Sequence, residues 1–396
     1  MKREIVCGDA LEVLRGLPDE SVHCCVTSPP YWSLRDYGVE GQLGLEETME
    51  EYVEKIVEVF REVRRVLRND STLWLNLGDS YASSGVQGPN SGLAKLADRH
   101  APRVNPRNPN RDDIGDVPRA ERHIPIGLKP KDLVGIPWRV AFALQADGWW
   151  LRSDIIWAKP NPMPESVTDR CTKSHEYIFM LSKSARYYYD HEAIKQASVS
   201  AGENRGGGLK YSDREHNNGI GGHHNLDKYG ITPDLRNKRD VWTVSTKPFK
   251  GAHFAVFPPE LIRPCILAGC AKKVCAVCGA PLERQVEKTV GTSKSCPKTQ
   301  AAHESRGGTG VPCGTVGKSG SGRTDGTTKT VGFKPTCDCN SGTNGGTVLD
   351  PFFGAGTTGL VAKQEGRGYI GIELNPEYAE MARERIKREC PMERLI

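Results

Sequence analysis

One peptide near the C-terminus confines the fold more than any other feature. Asp350-Pro351-Phe352-Phe353-Gly354-Ala355-Gly356-Thr357-Thr358 follows a short apolar run at residues 347–349 and precedes a helical stretch reaching about residue 364. Glycines at a strand-to-helix turn let the backbone approach a ligand closely, and the first helical turn offers free amides. The next apolar run ends in Glu373, 23 residues beyond Asp350. Nucleotide-binding α/β folds place a ribose-binding carboxylate at about that separation. An ordinary strand-to-helix turn with a surface glutamate would share the glycines alone. Strand, glycines, helix, strand and acid in succession point to a nucleoside ligand. The turn itself carries no Gly-Lys-Ser/Thr, which argues against a P-loop nucleotide.

The rest of the chain has a compatible rhythm. Seven short apolar runs stand out, at residues 4–6, 22–27, 72–77, 152–157, 176–181, 347–349 and 369–373. Several are continuously apolar, as strands covered on both faces are. Val53, Ile56, Val57, Phe60, Val63 and Leu67 fall at helical spacing with charge opposite, which predicts a helix over about 45–67. Further helices are expected over about 133–147 and 376–388. Strands alternating with helices predict a Rossmann-like α/β fold with a seven-stranded, mostly parallel sheet. Three polar, glycine-rich stretches, 83–130, 197–239 and 272–346, read as insertions into one core. In the last of them, 12 of the 42 residues from 305 to 346 are glycine.

Composition bounds the setting. No run approaches the ~18–20 apolar residues of a membrane span, and MKREIVCGDA passes at once into a strand pattern, unlike a signal peptide. A cytoplasmic location is therefore expected, with no membrane partner, and there the 13 cysteines are thiols or metal ligands rather than disulfides. Net charge is +5, and its excess concentrates in two stretches. Residues 83–131 carry nine Lys/Arg against five Asp/Glu, and residues 280–336 nine against four. Such basic loops suit phosphate contacts, although a solvated loop with no partner would look the same.

The run at residues 22–27 ends in Ser28-Pro29-Pro30-Tyr31-Trp32. Two consecutive prolines fix φ and remove two amide donors, leaving the carbonyls of Ser28 and Pro29 as rigid acceptors beside the flat ring of Tyr31. The Ser28 hydroxyl and a carbonyl can take the two hydrogens of an aromatic amine and aim its lone pair at an electrophile. A rigid turn ending a strand is the plainer reading of Pro-Pro alone. Taken with the glycine turn, the pair of motifs resembles the amino-methylating DNA methyltransferases, which carry (Ser/Asp/Asn)-Pro-Pro-(Tyr/Phe) and Phe-x-Gly-x-Gly. Here these read Ser28-Pro29-Pro30-Tyr31 and Phe352-Phe353-Gly354-Ala355-Gly356.

The catalytic motif precedes the cofactor motif, as in the circularly permuted β class of that family, whose sheet closes across the two chain ends. The resemblance implies S-adenosylmethionine as cofactor, with Asp9 on its adenine, Glu373 on its ribose, and Asp350, Pro351, Phe352, Gly354, Gly356 and Thr357 forming the turn around it. It extends through Ile156-Trp157-Ala158-Lys159-Pro160-Asn161-Pro162, Ser174-His175-Glu176-Tyr177 and residues 239–259. It divides the chain into a catalytic part at 1–82 and 131–196, a basic loop at 83–130 and a target-recognition segment at 197–239. A cofactor part at 240–271 and 347–396 and a cysteine-rich insertion at 272–346 complete the division. Duplex DNA is the implied substrate, with the target base flipped out of the stack. Tyr31 would stack on that base, with Trp157 or Trp32 beside it. A cognate restriction endonuclease is the implied system partner, and the chain would act as a monomer or homodimer.

Ser28, in place of Asp or Asn, resembles the branch acting on the N4 amino group of cytosine; N6-adenine is the alternative. Methylation at cytosine C5 needs a cysteine nucleophile, and Pro264-Cys265 and Pro312-Cys313 do not follow the catalytic-type strand. An RNA or small-molecule methyltransferase is a further reading, as is a zinc-bearing DNA-binding protein without catalysis. The long basic insertions disfavour the small-molecule reading, and two intact motifs disfavour the non-catalytic one.

Cys275-Ala276-Val277-Cys278-Gly279 and Cys337-Asp338-Cys339 are two close thiol pairs in a polar insertion with no apolar core to bury them. Four thiolates suit tetrahedral zinc, in a structural site expected to brace a DNA-binding loop, and Cys296 or Cys313 could replace one ligand. Cys7, Cys24, Cys25 and Cys171 read as small core residues. His216, His223 and His224 lie in a polar stretch that could bind metal but reads more simply as a loop.

Overall fold

The computed structural model describes residues 2–34, 36–82, 127–198, 235–247, 256–289 and 327–390. The basic loop 83–126, most of the expected target-recognition segment, and Cys296, Cys313, His216, His223 and His224 lie outside them. Two compact units are present. The larger comprises residues 1–194, 239–282 and 335–396, and the smaller comprises 195–238 and 283–334.

The larger unit is built on one eight-stranded sheet. Its strands are β1 (Arg3–Cys7), β2 (Val22–Thr27), β3 (Leu67–Leu77), β4 (Trp150–Ala158), β5 (His175–Ser182), β6 (Val241–Thr243), β7 (Thr347–Asp350) and β8 (Gly368–Glu373). They lie in the order β1-β8-β7-β2-β3-β5-β4-β6. Only β5 runs antiparallel to its neighbours. Each of the seven apolar runs lies within a strand. The expected count of seven is corrected by β6, three residues long at the sheet edge with only its central Trp242 buried, too short to show a period.

The N- and C-terminal parts of the chain interleave in this sheet. β1 pairs with β8, and β7 pairs with β2 through Val348 opposite Cys24 and Leu349 opposite Cys25. This pairing brings the ends of β2 and β7, and hence the two sequence motifs, side by side.

Helices cover both faces. α1 (Ala10–Arg15), α2 (Met49–Val66) and α3 (Ile136–Ala146) share one apolar cluster, and α4 (Pro259–Gly269), α5 (Thr357–Gln364) and α6 (Pro376–Glu389) share the other. The strand period of two assigns side chains to them: Leu73, Leu75 and Leu77 join the first cluster, and Trp74 the second. α2 forms as its sequence dictates. Thr48 caps it by accepting from the Glu51 amide, acids occupy its first turn, and Arg64 and Arg65 occupy its last. Tyr52, Ile56, Phe60 and Val63 make its fully buried stripe. Cys24 and Cys25 are core residues as expected, whereas Cys7 and Cys171 are exposed. Cys7 ends the edge strand β1, and Cys171 sits in the irregular stretch between β4 and β5, so neither position has a second layer to bury it. Among the described residues, no helix is long and apolar enough to cross a membrane.

The smaller unit contains an antiparallel hairpin, Glu283–Thr289 with Thr327–Lys334, which carries a register shift between Gln285 and Val286. A two-residue pair, Gln196–Ala197 with Leu235–Arg236, belongs to the same unit.

Candidate active site

The glycine turn is held by its own carboxylates. Gly356 caps α5 at φ +74°, and a Cβ there would lie 2.8 Å from Cβ of Ala382. Only glycine both adopts that conformation and lets α5 close onto α6. Glu373, at the end of β8, accepts from the Gly354 amide through Oε2 (2.7 Å) and from the Asn375 amide through Oε1 (2.9 Å). Burial raises its pKa above the usual glutamate range, against the pull of those amides. Asp9 caps α1 by accepting from the Glu12 amide at 3.0 Å.

Asp350 departs from expectation. It is 1% exposed and faces away from the ligand space. Its Oδ1 accepts from Thr27 Oγ1 (2.6 Å) and the Phe352 amide (3.1 Å), and its Oδ2 accepts from Thr358 Oγ1 (2.7 Å). Burial pushes its carboxyl up to about 6. Asp350 is thus a pin joining β7, the end of β2 and α5. Gly356 likewise serves helix packing and does not line the cavity. Sequence alone could not tell which way the aspartate turned.

Directly beside the turn, the Ser28–Tyr31 loop is anchored from below. The Pro30 carbonyl accepts from Tyr52 Oη of α2 at 2.8 Å. The Tyr31 ring packs against Gly78, where a Cβ would stand 2.5 Å from its Cε2. Tyr31 Oη donates toward Glu176 Oε2 (2.9 Å) and Asn76 Oδ1 (3.2 Å), and Ser28 Oγ donates to Tyr31 Oη at 3.5 Å. Lys159 pairs with Glu176 Oε1 and sits 4.3 Å from the centroid of the Trp157 ring. Burial, then the Glu176 carboxylate, holds the Tyr31 phenol protonated, far above its usual range. Lys173, donating to the Asp79 carbonyl at 2.8 Å, has its ammonium pKa lowered by desolvation.

Both ends open into one cavity of about 940 Å³. Asp9, Ser28, Pro29, Pro30, Tyr31, Pro351, Phe352, Gly354, Thr357 and Glu373 all line it. Trp157 lines it too, whereas Trp32 is buried with its Nε1 on the Glu46 carbonyl (3.0 Å). Asn76 belongs to no motif of the sequence, and Lys159 and Glu176 stand in it only within strand-like segments. Asn76, 4% exposed inside the apolar run of β3, was the available signal, because a buried amide needs partners. Among the described residues, no cysteine lines the cavity, and Cys265 is fully buried in α4.

At the other end of the sheet, the Sγ atoms of Cys275, Cys278, Cys337 and Cys339 all lie within 4.8 Å of one another.

A family model described as DNA methylase, of the N6/N4 methyltransferases, matches residues 22–274 and 339–384. Type II methyltransferase M.Cfr9I of Citrobacter freundii is 41% identical over 382 residues, 96% of this chain and 87% of that protein. Type II methyltransferase M.SmaI of Serratia marcescens is 39% identical over 385 residues, 97% and 91% of the two chains. Among solved structures, the PvuII DNA methyltransferase (cytosine-N4-specific) aligns over 98% of this chain and 91% of its own, at 16% identity and a TM-score of 0.49.

Proposed function

The chain belongs to the N6/N4 DNA methylase family, and on that premise we propose that it methylates the N4 amino group of a cytosine flipped out of duplex DNA, using S-adenosylmethionine. The observation that carries this reading is the single cavity. Two motifs at opposite ends of the sequence line it together. Its volume of about 940 Å³ sits at the upper end of the ~300–1,000 Å³ usual for small-molecule sites. That leaves room for a nucleoside cofactor and an extruded base at once.

The residues present fit the cofactor. The Gly354–Thr357 turn offers close backbone approach at a helix start, Glu373 offers a carboxylate for vicinal hydroxyls, and Asp9 offers an acceptor across from it. Asp350 supports these groups from behind. Bound S-adenosylmethionine supplies an electrophilic methyl group. The chain's own part is to orient the amine: Ser28 Oγ and a loop carbonyl accept its hydrogens, directing the nitrogen lone pair toward the methyl. Tyr31 offers its ring as a stacking face, fixed by Gly78 behind and by Glu176 and Asn76 at its hydroxyl. Positioning and exclusion of water supply the rate.

The choice of cytosine rests on Ser28, a hydroxyl where a stronger carboxylate or amide acceptor is the alternative. Attack through cysteine at C5 finds no support among the described residues, where no cysteine lines the cavity. We further read the two chain ends meeting in one sheet as the permuted β-class arrangement, and action in the cytoplasm within a restriction–modification system as its setting.

Incubation with S-adenosylmethionine carrying tritium in the methyl group, and with duplex DNA, RNA or neither, tests the reading. Label in DNA supports it. Label in RNA alone, or in neither, sinks it.

A further inference from the structure

Four cysteines converge in the larger unit at the end of the sheet away from the cavity, and packing does not account for it. Of the four, only Cys275 is buried; Cys278 and Cys339 are exposed and Cys337 is intermediate. Thiols gathered by the hydrophobic effect are gathered out of water. These four meet with water on one side, their sulfurs all within 4.8 Å of one another. All four are free thiols. At a Zn–S length of ~2.3 Å, a tetrahedral site holds its sulfurs about 3.8 Å apart, so the cluster needs only a small contraction to enclose an ion.

The surrounding backbone is already shaped as a knuckle. The Gly279 amide donates to the Cys275 carbonyl (3.0 Å), and the Cys278 amide points at Cys275 Sγ (3.5 Å). Val274–Cys275 pairs antiparallel with Thr343–Asn344, and the Ala276 amide donates to the Gly342 carbonyl (2.9 Å). The two thiol pairs are therefore brought together by main-chain pairing, independently of any ion.

We propose that Cys275, Cys278, Cys337 and Cys339 hold one structural zinc ion, which clasps the chain leaving α4 to the chain entering β7 beneath the sheet. The knuckle docks on the first residues of the central strands. Arg68 Nη1, at the start of β3, donates to the Cys278 carbonyl (2.8 Å). His23, at the start of β2, accepts from the Thr347 amide at Nδ1 (3.1 Å), which leaves Nε2–H to donate to the Gly279 carbonyl (3.1 Å). One imidazole thus ties β2, β7 and the knuckle together. Ser28 lies five residues further along β2, about 16 Å at ~3.3 Å per residue. This site sets the register of β2 and β7, the strands whose far ends carry the two motifs.

Four protein sulfurs leave no open coordination position, so the ion takes no part in chemistry. Tetrahedral S₄ also suits iron. Zinc is the choice here because methyl transfer moves no electrons and calls for no redox-active ion. Three of the four cysteines fall in the gap between the segments matched by the family model, so the clasp is an addition to the shared core.

Elemental analysis of the purified full-length protein should give one zinc per chain. Cobalt(II) exchanged into it should show the intense d–d and thiolate charge-transfer absorption of a tetrahedral S₄ site. Cys337→Ser with Cys339→Ser should lose the metal and melt at lower temperature, while Cys7→Ser, whose thiol lies elsewhere, should keep the full zinc complement. Should the double variant fail to fold, the wild-type cobalt spectrum and the protection of four thiols from a disulfide reagent until a chelator is added decide the matter. Zinc absent, iron in its place, or full zinc retained by a folded double variant would each overturn the proposal. Because none of these readouts uses methylation, they stand apart from the assignment of activity.

Discussion

Replacing Asp350 by asparagine separates a buried structural carboxylate from one that meets the cofactor. Burial moves its pKa from 3.8 to about 6. A group whose folded pKa lies above its unfolded one stabilises the fold below the unfolded value, and that contribution is lost as pH rises through about 4 to 6. A shift of about two units, at 1.36 kcal/mol each, makes the ionised Asp350 cost about 3 kcal/mol above the window and roughly half that near pH 5. Asparagine keeps the shape and carries no charge. Its oxygen can accept from Thr27 and the Phe352 amide, and its amide can donate to Thr358, whose proton is free to turn to the Val26 carbonyl at 3.3 Å. Denaturant unfolding of both proteins at about pH 5 and about pH 8 measures the difference. The variant should gain on wild type by about 1.5 kcal/mol more at the higher pH. Asp350→Ala should instead lose at least about 2 kcal/mol, because the Thr27 hydroxyl and the Phe352 amide are left unpaired. A pH-independent difference, or a larger gain at the lower pH, would refute the assignment.

Three other predictions follow from the same contacts. Gly78→Ala places a Cβ 2.5 Å from Tyr31 Cε2; the ring must tilt, and kcat should fall on the order of a hundredfold with the fold kept, so an unchanged kcat would deny the ring its role. Glu176→Ala leaves Lys159 unpaired and releases Tyr31 Oη. Loss of such charged hydrogen bonds, about 1.5–3 kcal/mol, should lower kcat about ten- to a hundredfold, and an effect on thermal stability alone would count against it. Glu373→Ala frees the Gly354 amide and should weaken S-adenosylmethionine binding at least about tenfold by calorimetry while leaving secondary structure intact by circular dichroism; unchanged affinity would remove Glu373 from the cofactor site.

What the sequence disclosed follows its distances. The glycine turn, the Pro-Pro loop and the paired cysteines are each local, so residue type and spacing carry their chemistry. The seven runs fell into strands because burial on both faces demands continuous apolar sequence. The side chains that hold Tyr31 were not legible, because they arrive from different strands. Asn76 on β3 meets Glu176 only through the antiparallel pairing that sets Asn76 opposite Ile178 on β5. Direction was equally hidden. Asp350 and Glu373 both flank the turn, and only the packed structure shows one turned into the core and the other toward the cavity. The edge strand Val241–Thr243 is too short for periodicity, and Cys7 and Cys171 are exposed because being apolar does not ensure a covering layer.

Amino-group methylation of cytosine by the Ser28–Tyr31 loop is directly measurable. Its most direct measurement is chromatography of nucleosides from duplex DNA methylated by the pure enzyme with labelled S-adenosylmethionine. Label should appear in N4-methylcytosine, and should be lost with Ser28→Ala in a protein that still binds the cofactor. Label in N6-methyladenine would contradict the reading of Ser28, and label in C5-methylcytosine would contradict the mechanism itself.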